Sequence, residues 1–357
     1  MITNIDKNIK RKKEYNIGIG ILRVCLSFMV IMNHLYNKKK FSKYVYFFYY
    51  HIPTFFLLSF FYTFNTLISF NINKIKQRFE RIMIPYFSWC FIYWIFNNIY
   101  FYILKKECRH SLIDFLHNLI NGHIFNVALW FQNILIILTI IFVIIILLFR
   151  NTYIFILIRI GLLTYIFQYT GLNYKFFRNN FPVDYYLTLG RFAEGFPNAV
   201  SGFYIASKSF TTILKSYARI TIIISLIILL LITKFNVFSD IKTFKYGGIR
   251  LNIGAICIFF IFYLFPFNAI KNKFLVSYSL LVTQLINIII HLTSNTGGIY
   301  FIHNLIGNGY ILRKILSILI IKRHSLLECI IVLFISHTIC FYATKLFGRT
   351  KFRHLFA

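Results

Sequence analysis

Apolar runs of about 20 residues recur from Ile17 to Phe347, and short basic breaks separate them. A run of that length can cross the hydrocarbon core of a bilayer as a helix. Lipid offers no partners to backbone N–H and C=O groups, so each crossing segment must close its hydrogen bonds within itself. The expected fold is therefore all-α: a polytopic transmembrane bundle of ten or eleven helices. Composition agrees. Of the 357 residues, 59% are hydrophobic and 13% charged, against roughly 45–50% and 25% in soluble domains. That balance argues against a soluble globular enzyme and against a disordered chain. The formal charge is +30, but the basic residues sit in the breaks rather than in one patch. The excess reads as basic loops, with anionic membrane lipids as partners, and not as a nucleic-acid footprint.

The breaks divide the chain into a basic tail (1–16), a membrane domain (17–348) and a basic C-terminal tail (349–357). Expected spans are about 17–36, 44–68, 82–104, 127–149, 153–170, 185–206, 217–233 and 249–269, followed by runs at about 274–292, 299–320 and 327–347. Pro85 is placed in the first turn of the third span, where its missing N–H costs little. The basic stretch 71–81 is read as a connector, and 105–126 as a loop. No small-residue cleavage site follows the first run, so it is expected to remain as a helix. The positive-inside rule puts the N-terminus in the cytoplasm, and the plasma membrane is the expected location. The lysines at 38, 39, 40 and 43 oppose that orientation. The six cysteines include no CxxC pair, which leaves neither a disulfide framework nor a zinc site. His110, His117 and His123 lack helical metal-ligand spacing.

Ionisable groups inside a span cost about 2.5–3.5 kcal/mol each on insertion scales, so they are the best leads to chemistry. Arg23 and His34 are eleven residues apart in the first run. At about 100° per residue they share one face, roughly 16 Å apart along the axis. They either line one cavity at two depths or snorkel to opposite surfaces. Arg78 and Arg81, neighbours on a helical face, suit a polyanion such as the phosphates of coenzyme A, or anchoring to anionic lipid.

Taken together, these features resemble the membrane acyltransferase-3 family, which O-acylates cell-surface glycans. Arg23-x10-His34 has the spacing and place of the family's first-helix signature. Arg78-x-x-Arg81 followed by Pro85 matches the signature at its third helix. His51-Ile-Pro53-Thr-Phe55-Phe56-Leu-Leu-Ser59-Phe60 follows the second-helix pattern, with Phe60 where the family carries Gly. Gly298-Ile-Tyr300-Phe-Ile-His303 and Ala128-Leu-Trp130-Phe131 resemble two later segments.

The resemblance implies an acyltransferase. Acyl-CoA, with acetyl the family's default, is the donor substrate on the cytoplasmic side, and a hydroxyl of a surface glycan or glycolipid accepts. No permanently bound cofactor and no metal is implied. His34 takes the base role, since an imidazole titrates near neutrality. Arg23 holds or orients the donor, and Arg78 and Arg81 clamp its phosphates. Arg191 and Glu194 read either as a self-neutralising i,i+3 pair or as an acceptor-binding pair. His51 and His303 read as interface residues or as acceptor contacts. Glu328 reads as a helix-end carboxylate, and Trp89, Trp94 and Trp130 as interfacial or core aromatics. An alternative is an exporter of polysaccharide or lipid-linked sugar, although no inverted repeat of the kind many transporters show is visible.

Overall fold

The computed structural model describes residues 16–35, 49–105, 110–122, 129–169, 183–234, 248–267, 325–347, Thr350 and scattered positions between 284 and 306. Among these lie eleven helices and no strand. They are α1 (Ile17–Leu35), α2 (His51–Ile68), α3 (Ile72–Lys105), α4 (Leu112–Asn121), α5 (Leu129–Leu148), α6 (Tyr153–Tyr169), α7 (Val183–Ile205), α8 (Lys208–Ser216), α9 (Ala218–Lys234), α10 (Ile249–Leu264) and α11 (Leu326–Phe347). The all-α bundle is as expected. Among the described residues four are long and apolar enough to cross a membrane (α1, α2, α5 and α11), or five if the bent pair α8–α9 counts as one. The expected runs at 274–292 and 299–320 lie outside the described residues apart from isolated positions.

Short polar side chains start several helices by accepting from exposed N–H groups of the first turn. Asn16 Oδ1 accepts from Ile19 N at 3.0 Å, Asn71 Oδ1 from Lys74 N at 3.1 Å, and Ser325 Oγ from Glu328 N at 3.1 Å. Asn71 corrects the sequence reading. The basic stretch 71–81 is not a connector but the first part of α3, a single helix of 34 residues. Pro85 consequently stands in the helix interior. It removes the bond to the Arg81 carbonyl and crowds the turn before it. Gln132 of α5 donates to the neighbouring Ile82 carbonyl at 3.0 Å. A side chain from α5 thus reaches the turn before Pro85, beside the Arg81 carbonyl.

The expected loop 105–126 carries α4. Ser111 and Asp114 form a reciprocal capping box: Asp114 N donates to Ser111 Oγ at 3.2 Å and Ser111 N to Asp114 Oδ2 at 2.8 Å. The far end of α4 is held by Tyr86, which donates toward the Asn118 and Leu119 carbonyls, and by Asn133, which donates to Ile120 O. The Ser111 N–H and then its hydroxyl hold the Asp114 carboxyl below its ordinary range. A depressed carboxylate stabilises the fold above its unfolded value of about 3.9 and ceases to as pH falls through the folded value. Hydrogen-exchange protection of Leu112–Phe115 is therefore expected to fall from pH 6 to pH 3. The Asp114→Asn variant should abolish the pH dependence.

Contacts between aromatic rings and glycines fix the directions. Phe56 meets Phe131 and Phe60 meets Phe142, so α5 runs with α2. Gly195 lies against Phe56 and Phe203 against Phe64, so α7 does as well. Tyr50 meets Gly254 and Phe61 meets Phe259, which adds α10. Gly18 against Phe262 sets α1 the opposite way, and Tyr153 against Phe203 with Gly161 against Val200 does the same for α6. Phe56, Phe60, Phe142, Phe196 and Phe203, each 2% exposed or less, form the centre of the core. With no hydrophobic drive between helices in lipid, close approach must supply the packing. A methyl group on Gly202 would stand 2.1 Å from the Leu57 carbonyl oxygen, so α2 and α7 touch backbone to backbone. The Phe60 ring is buried 4.4 Å from that of Phe142.

Candidate active site

α1 is unbroken from Ile17 to Leu35, so Arg23 and His34 do share a helical face, about 16 Å apart along the axis. His34 occupies the last turn. Both residues are partly buried. The His34 ring lies 5.2 Å from the ring of His303, at 45°. Two histidines far apart in sequence thus meet at one end of the bundle. His303 is fully buried, and its Nδ1 is 3.1 Å from the Ile299 carbonyl oxygen. A carbonyl only accepts, so Nδ1 carries the hydrogen. In the neutral ring Nε2 is then the nitrogen that accepts a proton.

Arg78 and Arg81 part company. Arg78 turns inward from α3 and donates through Nη2 to Ser59 Oγ, halfway along α2. Its Nε is shielded from solvent and makes no hydrogen bond among the described residues, and no carboxylate there pairs with the guanidinium. Arg81 is exposed. A partly buried guanidinium with no carboxylate among the described residues is costly in a low-dielectric interior, and an anionic ligand would relieve that cost.

On α7, Arg191 sets its guanidinium 4.8 Å from the centre of the Trp130 ring, within cation–π range. Trp130 is therefore more than a core aromatic. Glu194 is 3% exposed and His51 1%, both inside the bundle. Glu328 is also enclosed, in the first turn of α11, where a carboxylate complements the helix dipole.

Sequence reasoning missed several polar residues in the same region: Asn198, Asn252, Arg250 and Tyr50, all buried. Asn198 Nδ2 donates to the Glu194 carbonyl at 2.9 Å and also to Asn252 Oδ1. The Tyr50 hydroxyl stands beside the Arg250 guanidinium. A signal for Asn198 was present: Arg191, Glu194 and Asn198 are spaced i, i+3, i+7, a polar stripe along the helix. Among the described residues no group of three His, Cys, Asp or Glu side chains is placed to hold a metal.

Comparison with known proteins gives one result. The model of a family described as an acyltransferase domain matches residues 16–345. No curated protein and no solved structure matches. The match runs from the cap of α1 almost to the end of α11 and takes in Arg23, His34, Ser59, Arg78, Glu194 and His303. The chain belongs to the acyltransferase-3 family of membrane acyltransferases.

Proposed function

We propose that this protein moves an acyl group, with acetyl as the family's default, from cytoplasmic acyl-CoA to a hydroxyl of a cell-surface or lipid-linked glycan. It would do so from the plasma membrane with its N-terminus in the cytoplasm, and its basic surface would favour anionic lipids. The observation that carries the reading is the pairing of His34 with His303, which gives a membrane-embedded site two imidazoles. His34 serves as the base. As the acceptor oxygen attacks the thioester carbonyl carbon, its proton passes to the imidazole. The carbon–sulfur bond breaks, the coenzyme leaves as a thiolate, and an ester remains. Arg78, partly buried and with no carboxylate partner among the described residues, supports a phosphate or other anionic contact to the donor. Arg23 shares the helix face of His34 and is suited to orient the donor between the two ends. Glu194, Arg191, His51 and His303 are assigned to the acceptor side, where carboxylates and imidazoles bind hydroxyl groups.

The test is mass spectrometry of surface glycans from cells with and without the gene. A difference of one acyl group per repeat supports the reading and names the donor. Glycan that fails to reach the surface with unchanged acylation points instead to an exporter. The inward and outward arginines separate a second prediction. Arg78→Ala should weaken acetyl-CoA binding to the purified protein by about tenfold or more, as expected when a charge-assisted contact of about 1.5–3 kcal/mol is removed. Arg81→Ala should change it by less than about threefold, since exposed charge pairs are worth little.

A further inference from the structure

We propose that Asn198 of α7 and Asn252 of α10 form a hydroxyl-binding subsite inside the bundle, and that its ligand is a hydroxyl-bearing ring of the glycan acceptor. The assignment of that ligand rests on the function proposed above. The subsite itself rests on atoms. Asn198 is 0% exposed and Asn252 1%. The orientations of the two amides follow from chemistry. The Glu194 carbonyl only accepts, so the Asn198 atom facing it at 2.9 Å is the Nδ2 donor. The Asn252 atom that meets the same Nδ2 must then be Oδ1.

That leaves one group on each side chain. Asn198 Oδ1 and Asn252 Nδ2 are both enclosed, and neither makes a hydrogen bond among the described residues. The Tyr165 hydroxyl stands near Asn252, short of hydrogen-bond geometry with Nδ2. Each polar group left without a partner away from water costs about 1–3 kcal/mol, and packing alone would favour an apolar residue at both positions. One side presents an acceptor and the other a donor. Sugar hydroxyls supply both roles, donating to Oδ1 and accepting from Nδ2.

The surroundings fit the same ligand. Glu194 lies one turn before Asn198 on the same face of α7, as i,i+4 positions do. Arg250 lies two residues before Asn252 and is 7% exposed. A carboxylate and two carboxamides thus lie together where α7 and α10 pack, while the Arg250 guanidinium, on another face of α10, stands beside Tyr50. Phosphate chemistry would call for more cations and fewer carboxylates. The donor's pantetheine arm carries two amides and a hydroxyl of its own, so donor affinity is read beside saccharide affinity.

The experiment uses the full chain in lipid nanodiscs. Acetyl-CoA is the donor probe, and oligosaccharides released from the producing cell's own surface polysaccharide are the acceptor probe. Asn198→Leu, Asn252→Leu and the double variant keep the side-chain shape and remove the polarity; each single variant leaves a buried amide group unpaired and should lose some thermal stability, whereas the double variant should hold or gain it. Saccharide affinity and the KM for saccharide should worsen at least tenfold, while the acetyl-CoA Kd stays within twofold. Unchanged saccharide affinity in the folded variants would overturn the proposal, assigning the pair to an enclosed water. A loss of acetyl-CoA affinity would also overturn it, by giving the amides to the donor. Should the wild type bind saccharide in an Asn198-dependent way yet transfer nothing, the subsite stands and the acyltransferase reading falls. If Asn198→Leu fails to fold, Asn252→Ser provides the same readout with a smaller change.

Discussion

Replacing His34 by alanine is expected to cut acyl transfer about 10²–10⁴-fold, the usual contribution of a positioned acid–base group. At about 1.36 kcal/mol per tenfold, this amounts to roughly 3–5 kcal/mol of the barrier. The side chain lies in the last turn of α1 and is only partly buried, so its removal should leave the helix and the amount of protein in the membrane unchanged. The measurement is transfer of labelled acetyl from acetyl-CoA to the membrane glycan fraction, normalised to protein. Acetyl-CoA affinity is read in parallel. A large fall in transfer with donor affinity intact agrees with a base, whereas loss of donor affinity moves His34 to the donor site. Wild-type transfer in the variant would remove His34 from the chemistry. His303→Ala provides the comparison, because the two rings are 5.2 Å apart. If the pair works as a unit, the double variant should lose little more than the His34 single variant.

The second large effect falls on the fold. In Gly202→Ala the new methyl would stand 2.1 Å from the Leu57 carbonyl oxygen and 2.8 Å from its carbon. Both are backbone atoms that cannot rotate away, so α2 and α7 must separate. Overpacking ordinarily costs about 1–3 kcal/mol, and a backbone collision at the central helix pair belongs at or above the upper end of that range. The thermal midpoint in detergent should drop by many degrees, with less protein in the membrane. Gly161→Ala is the control. There the methyl would meet Val200 at 3.7 Å, an ordinary contact. Since glycine is the weaker helix former by roughly 0.5–1 kcal/mol, that variant should match or exceed the wild type. Equal midpoints for Gly202→Ala and the wild type would mean that α2 and α7 are not in backbone contact.

The sequence was informative where a single helix carries the signal. The apolar runs located α1, α5, α6, α7, α9, α10 and α11 to within about five residues, and the end of α2, which starts seven residues after the expected 44. The Arg23–His34 spacing held because α1 is continuous. The sequence was less informative where polarity and structure diverge. The stretch before Pro85 carries Lys74, Lys76, Arg78 and Arg81, which looked like a connector. Yet Asn71 starts a helix there that runs on through Pro85, with Gln132 bonding the adjacent Ile82 carbonyl. α4 was missed because only span-length apolarity was sought, although Ser111-Leu-Ile-Asp114 is a capping sequence. The inward turn of Arg78 depends on Ser59, and the encounter of His34 with His303 depends on packing between distant segments. The Asn198–Asn252 pair likewise spans α7 and α10. A single helix's periodicity contains none of these pairings.

The right-angled corner between α8 and α9 has a consequence for how the protein sits in its membrane. The two helices meet at 87°. If the apolar α9 follows the bilayer normal, α8 lies flat along the surface. Lys208 and Lys215 then sit at headgroup depth while the exposed Ile213 reaches toward the acyl chains, the arrangement of an interfacial amphipathic helix. A segment floating at that boundary resists both sinking and rising. It works as an outrigger that sets the vertical position of the whole protein, so a change in bilayer thickness would be taken up at the opposite rim.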